Sequence, residues 1–389
     1  MTSEDPAADD PLALPDLASR SLRGSVIAAS DEFFAEKENL ISPGAPSFSP
    51  HTFGHKGQVY DGWETRRRRG LPGSDSLPGP DDCDWVIVRL GAPGVVHAVV
   101  VDTAHFTGNF PQACSVEACW ADGYPDLGTL AAARWVEIAG RSPLKGDTPH
   151  VFEIPPEARH RYSHVRLRIY PDGGVARLRV HGVVVPDPAL LEGMTFDLAA
   201  LENGGDVAGC SDRFYSSPRN ALSPGLSRVM GEGWETRRRR SAGNEWLAVR
   251  FAAPAVISLV EVDTSGYIGN SPGMAEVRGW LSAGHATGAV AGASGASGES
   301  ADSPSGETRA WDDPSTWQAL LARTPLLPDT PHRFRVAPAA PCDLVRFDVF
   351  PDGGVARLRL YGTLTPEGLA QVRRRWAETA LCPREVTID

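Results

Sequence analysis

An eight-residue string, Gly62-Trp63-Glu64-Thr65-Arg66-Arg67-Arg68-Arg69, occurs a second time without change as Gly233 to Arg240. Further matches lie around it in the same order. Asp31-x-Phe33 to Asn39 returns as Asp212-x-Phe214 to Asn220, and Trp85-x3-Arg89 as Trp246-x3-Arg250. Val101-Asp102-Thr103 returns as Val262-Asp263-Thr264, and Gly108-Asn109 as Gly269-Asn270. Asp147 to His150 returns as Asp329 to His332, and Pro171 to Arg179 as Pro351 to Arg359. The offset stays between about 160 and 182 residues. A period of that size is a domain, far longer than a solenoid unit. The chain therefore reads as two copies of one domain, at residues 24–185 and 204–365, joined by a linker at 186–203. The offset widens late because the second copy carries an insertion after Trp280. Its Gly-, Ala- and Ser-rich stretch at 283–309 is expected to be a flexible loop. Residues 1–23 are expected to form a disordered tail. Residues 366–389 are expected to hold a helix from Pro366 to Ala380, with proline near its first position, and then a tail.

Within each copy the pattern is β. Val165, Leu167 and Ile169 alternate with Arg166, Arg168 and Tyr170, as on a half-buried strand. Ala176, Leu178 and Val180 alternate with Arg177, Arg179 and His181. Pro171-Asp172-Gly173-Gly174 between them reads as a tight hairpin turn. Val95 to Val101 is a near-continuous apolar run, as expected of a strand inside a sandwich. With 40 Gly and 33 Pro, turns recur too often for long helices. Each copy is expected to be an antiparallel β-sandwich of jelly-roll type, so the chain is all-β with short helical additions.

The net charge of −11 argues against a general nucleic-acid binder, which needs a basic footprint. No apolar run approaches the roughly 18 residues of a membrane span, and the acidic start is not a secretory signal. Six scattered cysteines show no CxxC pair, so free, mostly buried thiols and a cytoplasmic location are expected. HExxH, P-loop, GxGxxG and GxSxG motifs are missing. No cofactor or metal ligand set is predicted, although a divalent metal stays open, as does a homo-oligomer.

Any site must then be built from strand ends and loops. If GWETRRRR is a strand, Glu64, Arg66 and Arg68 share one face, and Trp63, Thr65, Arg67 and Arg69 the other. A charged edge explains that arrangement as well as an arginine fork for an anion, since guanidinium binds carboxylate bidentately. Glu235 and Arg237 are the second-copy counterparts of Glu64 and Arg66. Asp102-Thr103-Ala104-His105-Phe106-Thr107-Gly108-Asn109 follows the apolar run, at a strand end. It reads as a polar site or as an Asx turn. The second copy keeps Asp263, Thr264 and Asn270 but has Gly266 for His105. Arg177 and Arg179, matched by Arg357 and Arg359, follow a turn that accounts for Asp172 and the glycines. His51 and His55 have no counterpart, and His150 and His332 belong to a DTPH turn.

These motifs together resemble the allantoicase family. The resemblance rests on Asp61 to Arg67 with its echo Glu232 to Arg238, on Val101 to Pro111 and on Arg166 to Arg179, and it spans both copies. It implies two jelly-roll domains of the galactose-binding-like fold. It also implies a hydrolase acting on a non-peptide C–N bond, which converts allantoate to ureidoglycolate and urea in purine (allantoin) degradation. Breaking that bond needs an acid for the leaving urea and a base for water. His105, Asp102 and Glu64 are the candidate catalytic groups. Arg66, Arg68, Asn109, Arg177 and Arg179 are candidate substrate contacts, with Glu235, Arg237, Asp263 and Asn270 in the second copy. The departures, Gly266 and the 283–309 insertion, fall in the second copy. A different class, a carbohydrate- or small-ligand-binding jelly roll without catalysis, fits the fold. Loops rich in Arg and Asp rather than aromatic platforms favour the enzyme.

Overall fold

The computed structural model describes residues 10–69, 77–281 and 317–381. The chain divides into two compact units that part between Val185 and Pro186. Each is an antiparallel β-sandwich organised around one strand of unusual length, Asp84–Asp102 in the first unit and Glu245–Asp263 in the second.

In the first unit that strand serves two sets of partners. Its early half pairs with Ser25–Ala29 and Arg161–Tyr170, and the sheet continues through Ala113–Cys119 to Val136–Pro143. Its late half pairs with Arg177–Val184 and Pro149–Glu153. A register break between Arg89 and Gly94 separates the halves. Val86, Val88, Val99, Val101, Leu167 and Leu178 are fully buried between the layers. The second unit repeats the plan with Arg357–Leu364, Cys342–Phe350, Met274–Trp280, Gln318–Pro325, Asp206–Cys210 and Pro331–Arg335.

Pro171–Gly174 does not close a hairpin. Arg161–Tyr170 and Arg177–Val184 pair with different halves of the long strand, not with each other. The turn instead carries the chain from one layer to the other, and Gly174–Val175 then pairs with Trp63–Glu64. Glycine is required there. Gly173 has φ of 139°, and a Cβ on Gly174 would fall 2.0 Å from the Phe106 ring.

Both unit boundaries lie earlier than the sequence suggests. Residues 10–22 are folded onto the first unit, not a disordered tail. Asp10 caps a 3-10 turn at Pro11–Ala13, and Leu17 and Ala18 are fully buried. Asp16 accepts from the Val180 amide and pairs with Arg179. Asp197 does the same for Leu360 and Arg359. Residues 196–203 of the expected linker are thus part of the second sandwich. The acidic opening hid this because only a few apolar residues anchor the segment.

The last helix runs over Pro366–Glu378 and packs Val372 against Leu191 and Ala253. The 283–309 insertion and the tail from residue 382 lie outside the described residues. Cys114, Cys119 and Cys342 are buried free thiols, each pushed up to about 12 by burial. Among the described residues no helix is long and apolar enough to cross a membrane. Among them also, no group of three or more His, Cys, Asp and Glu side chains is gathered to hold a metal ion.

Candidate active site

The repeated octapeptide is a strand for only two residues, Trp63–Glu64. Trp63 is fully buried and its indole donates to the Asp31 carbonyl at 2.7 Å. Thr65 is buried and exchanges hydrogen bonds with Gly173, its amide donating at 3.1 Å and its hydroxyl accepting at 3.1 Å. With both neighbours turned inward, Glu64 is turned the other way. Its Oε1 accepts from the Asn109 side-chain amide at 2.8 Å. Its Oε2 has no hydrogen-bond partner among the described residues. Burial pushes the Glu64 carboxyl above the usual carboxylate range, with Asn109 and Arg67 pulling the other way. The second unit rebuilds the same pair: Glu235 accepts from Asn270 at 2.7 Å, between buried Trp234 and Thr236. Residues 45 and 35 positions apart in sequence thus meet twice in one geometry.

The alternation read for Glu64, Arg66 and Arg68 fails beyond the strand, because carboxylates replace the ladder. Asp31 accepts the Arg66 amide at 2.8 Å, and Asp172 accepts the Arg68 amide at 2.7 Å. The Arg66 Nε then pairs with Asp31 at 2.6 Å, the guanidinium rests over Phe33, and the side chain stays 67% exposed. Its two terminal nitrogens have no protein partner among the described residues. Arg237 is held alike by Asp212 and Phe214. Arg68, by contrast, pairs with buried Asp84 at 2.8 Å, and its equivalent Arg239 with Glu245 at 2.6 Å.

The other candidates are braces and turns by their contacts. All five guanidinium donors of Arg177 are occupied, by the Gly44, Ala45, Asp61 and Ala176 carbonyls and by the Asp61 carboxylate. Arg179 binds Asp16 and the Pro43 and Gly44 carbonyls. Arg357 and Arg359 hold the carbonyl of Gly225 in the same way. Asp102 closes an Asx turn on the Ala104 amide at 2.9 Å, and Asp263 one on Ser265 at 2.8 Å. His150 accepts from the Lys145 amide at 2.8 Å and His332 from Leu327 at 2.8 Å, as a turn predicts. His51 and His55 are exposed. His105 has φ of 68°, a conformation Gly266 also takes, and its amide donates to Asp147 at 2.8 Å. Its ring lies against Pro46 and Phe48, not against Glu64.

Sequence reasoning missed Asp31 and Phe33, which seat Arg66. They were visible as part of the Asp31-x-Phe33 match that returns as Asp212-x-Phe214. It also missed that the first copy runs ten residues longer than the second between Asn39 and Gly62. The drop in offset between those two matched positions is the signal.

Comparison with known proteins agrees with this architecture. The sequence model of a family described as the allantoicase repeat matches residues 15–185 and 196–365. A probable allantoicase of Nocardia farcinica is 52% identical over 353 residues, covering 90% of this chain and 94% of that one. The allantoicase of Dictyostelium discoideum is 38% identical over 350 residues, covering 89% and 86%. The crystal structure of allantoicase from Saccharomyces cerevisiae superposes with a TM-score of 0.68 at 30% identity, over 90% of this chain and 93% of that one. With both repeats matched by the family model and relatives aligned over nearly their whole length, this chain belongs to the allantoicase family.

Proposed function

We infer that the chain hydrolyses allantoate to ureidoglycolate and urea, and we propose that the reaction runs at the Glu64–Asn109 pair and its twin, Glu235–Asn270. One observation carries the site assignment. A carboxyl–amide pair, two residues along the chain from an exposed arginine, is retained in two repeats whose loops differ. Allantoate bears a carboxylate and two ureido groups on one carbon. Its hydrolysis joins a water oxygen to that carbon, breaks a C–N bond and delivers a proton to the departing urea nitrogen. A carboxyl raised by burial keeps its proton to higher pH than a solvated one, which suits Glu64 to that transfer. Asn109 fixes one carboxyl oxygen and leaves the other for substrate or water. Arg66 offers its terminal nitrogens to the substrate carboxylate. Arg68, Arg177, Arg179, Asp102 and Asp263 support the loops around the site in this reading.

A cytoplasmic setting is part of the same proposal, since free cysteines fit a reducing compartment. The test is release of urea from allantoate by the purified protein, with allantoin, a closed ring, left intact. Absence of urea from folded protein would favour the non-catalytic ligand-binding reading.

A further inference from the structure

The ten extra residues of the first repeat leave from matched ends. Asn39 donates to the Gly62 carbonyl at 3.1 Å, and Asn220 to that of Gly233 at 3.2 Å. Between those ends the first repeat carries a segment fastened at two places. At its base the Asp61 carboxylate accepts from the Ser47 amide at 2.9 Å and hydroxyl at 3.1 Å, and from buried Arg177 at 2.7 Å. At its flank the His105 ring stacks on Phe48 at 5.5 Å, and its Nε2 lies 3.3 Å from the Pro46 carbonyl oxygen. Phe48 stacks on Tyr60, and Tyr60 on buried Phe106.

The segment then forms a small hairpin, Phe53–Gly54 against Gly57–Gln58, with Lys56 in its turn. The Lys56 ammonium lies 5.4 Å from the centre of the Phe33 ring, the same ring that carries Arg66 at 5.6 Å. Phe33 precedes Phe34, whose amide donates to the Glu64 carbonyl. The segment therefore touches His105, four residues before Asn109 in sequence, and Phe33, next to the residue bonded to the Glu64 backbone. It also helps to line a cavity of about 300 Å³. Ser47, Ser49, Thr52, Val59 and Tyr60 of the segment line it together with Asn39 and Asp61. The second repeat has no such segment. Gly266 stands for His105, Tyr267 caps the Met230 carbonyl, and Phe214, Tyr215 and Ile268 are exposed.

We propose that residues 46–60 are a cover that reads the substrate at the first site. Lys56, one of only three lysines in the chain, is a specificity-determining residue that joins Arg66 on the substrate carboxylate. His105 is a positioning residue that holds the cover in place. The proposal rests on the reading that Glu64 and Asn109 form the catalytic pair.

The experiment uses full-length protein carrying Glu235→Gln, so that turnover comes from the first site. Lys56 is exposed, and its replacement leaves no buried partner. Lys56→Gln raises KM for allantoate about tenfold or more, the loss of one charge-assisted contact, while kcat falls far less. Lys56→Arg restores most of the loss. His105→Gly introduces a residue at ease with positive φ, the one the second repeat already uses. It raises KM similarly and keeps the shape of the kcat–pH profile. His105→Asn, which tolerates the same backbone but is too short to reach Pro46 as Nε2 does, behaves like His105→Gly.

KM values within twofold of the parent for both Lys56→Gln and His105→Gly overturn the proposal. So does a His105→Gly enzyme that loses kcat together with one limb of its pH profile, since the imidazole is then a proton carrier. Glu64→Gln on the same background separates this proposal from the reading beneath it. Full turnover in that variant removes the site itself. A dead Glu64→Gln with an unmoved KM in Lys56→Gln removes only the cover.

Discussion

The ionised form of Glu64 is disfavoured because burial takes its carboxylate out of water, a cost that the Asn109 amide and the Arg67 charge offset only in part. A buried acid of this kind has two measurable consequences. With Glu235→Gln silencing the twin site, Glu64→Gln is expected to lower kcat by about 10²–10⁴-fold, the range for a proton-transfer group. Stability should respond as well. Burial raises the folded pKa above the ordinary value of 4.5, so the folded state holds the proton over a window where the unfolded chain has released it. Stability therefore falls as pH rises through that window, and Glu64→Gln should flatten the slope in urea melts. The two arginines beside it should part company. Arg66→Ala should cut kcat/KM by about 10- to 150-fold with little change in Tm, since its terminal nitrogens face solvent. Arg68→Ala should instead lower Tm, because it leaves the buried Asp84 carboxylate without its cation. Both arginines were legible as members of a repeated string. Their difference was not, because it depends on which distant carboxylate each one meets.

At the scale of strands and loops, side-chain periodicity reported faces but not partners. Val165, Leu167 and Ile169 are buried and Arg166, Arg168 and Tyr170 are not, as their alternation predicts. The hairpin reading of Pro171–Gly174 failed on pairing. Two strands adjacent in sequence each found a different half of one 19-residue strand, and only the fold reveals that choice. The same blindness made Arg177 look available to a substrate. Its guanidinium is 3% exposed and clamps the loop at Gly44 and Ala45, more than 130 residues away, onto its own strand. That clamp is a stability element. Arg177→Met should destabilise the first unit by about 1–3 kcal/mol, the cost of leaving buried acceptors without their donor, as read by chemical denaturation. Arg179→Met should cost less, because its guanidinium is more exposed than that of Arg177 and its ion pair is longer, 3.3 Å against 2.7 Å. If Arg177→Met instead kept full stability and lost affinity for allantoate, the guanidinium would belong to the site.

Across the whole molecule, duplication has left two Glu–Asn pairs of one geometry in different surroundings. Each unit keeps the Glu–Asn pair and an arginine seated by an aspartate and a phenylalanine. Only the first has the longer segment with Lys56 and the histidine that meets it. The glycine at 266 and the shorter loop of the second repeat fit each other: an imidazole with no Pro46 and Phe48 to meet has no contact to make. If the reaction runs at both pairs, as proposed, and the cover acts only at the first, a particular saturation curve follows. Wild-type turnover against allantoate should need two hyperbolas, one with low KM and one with high. Glu64→Gln should abolish the low-KM component and leave the other, Glu235→Gln should do the reverse, and the double variant should release no urea. The single variants are decisive. If either one alone abolished all turnover, the two units would form one catalytic device and not two. If both left the same single KM, the segment that distinguishes the repeats would have no part in binding.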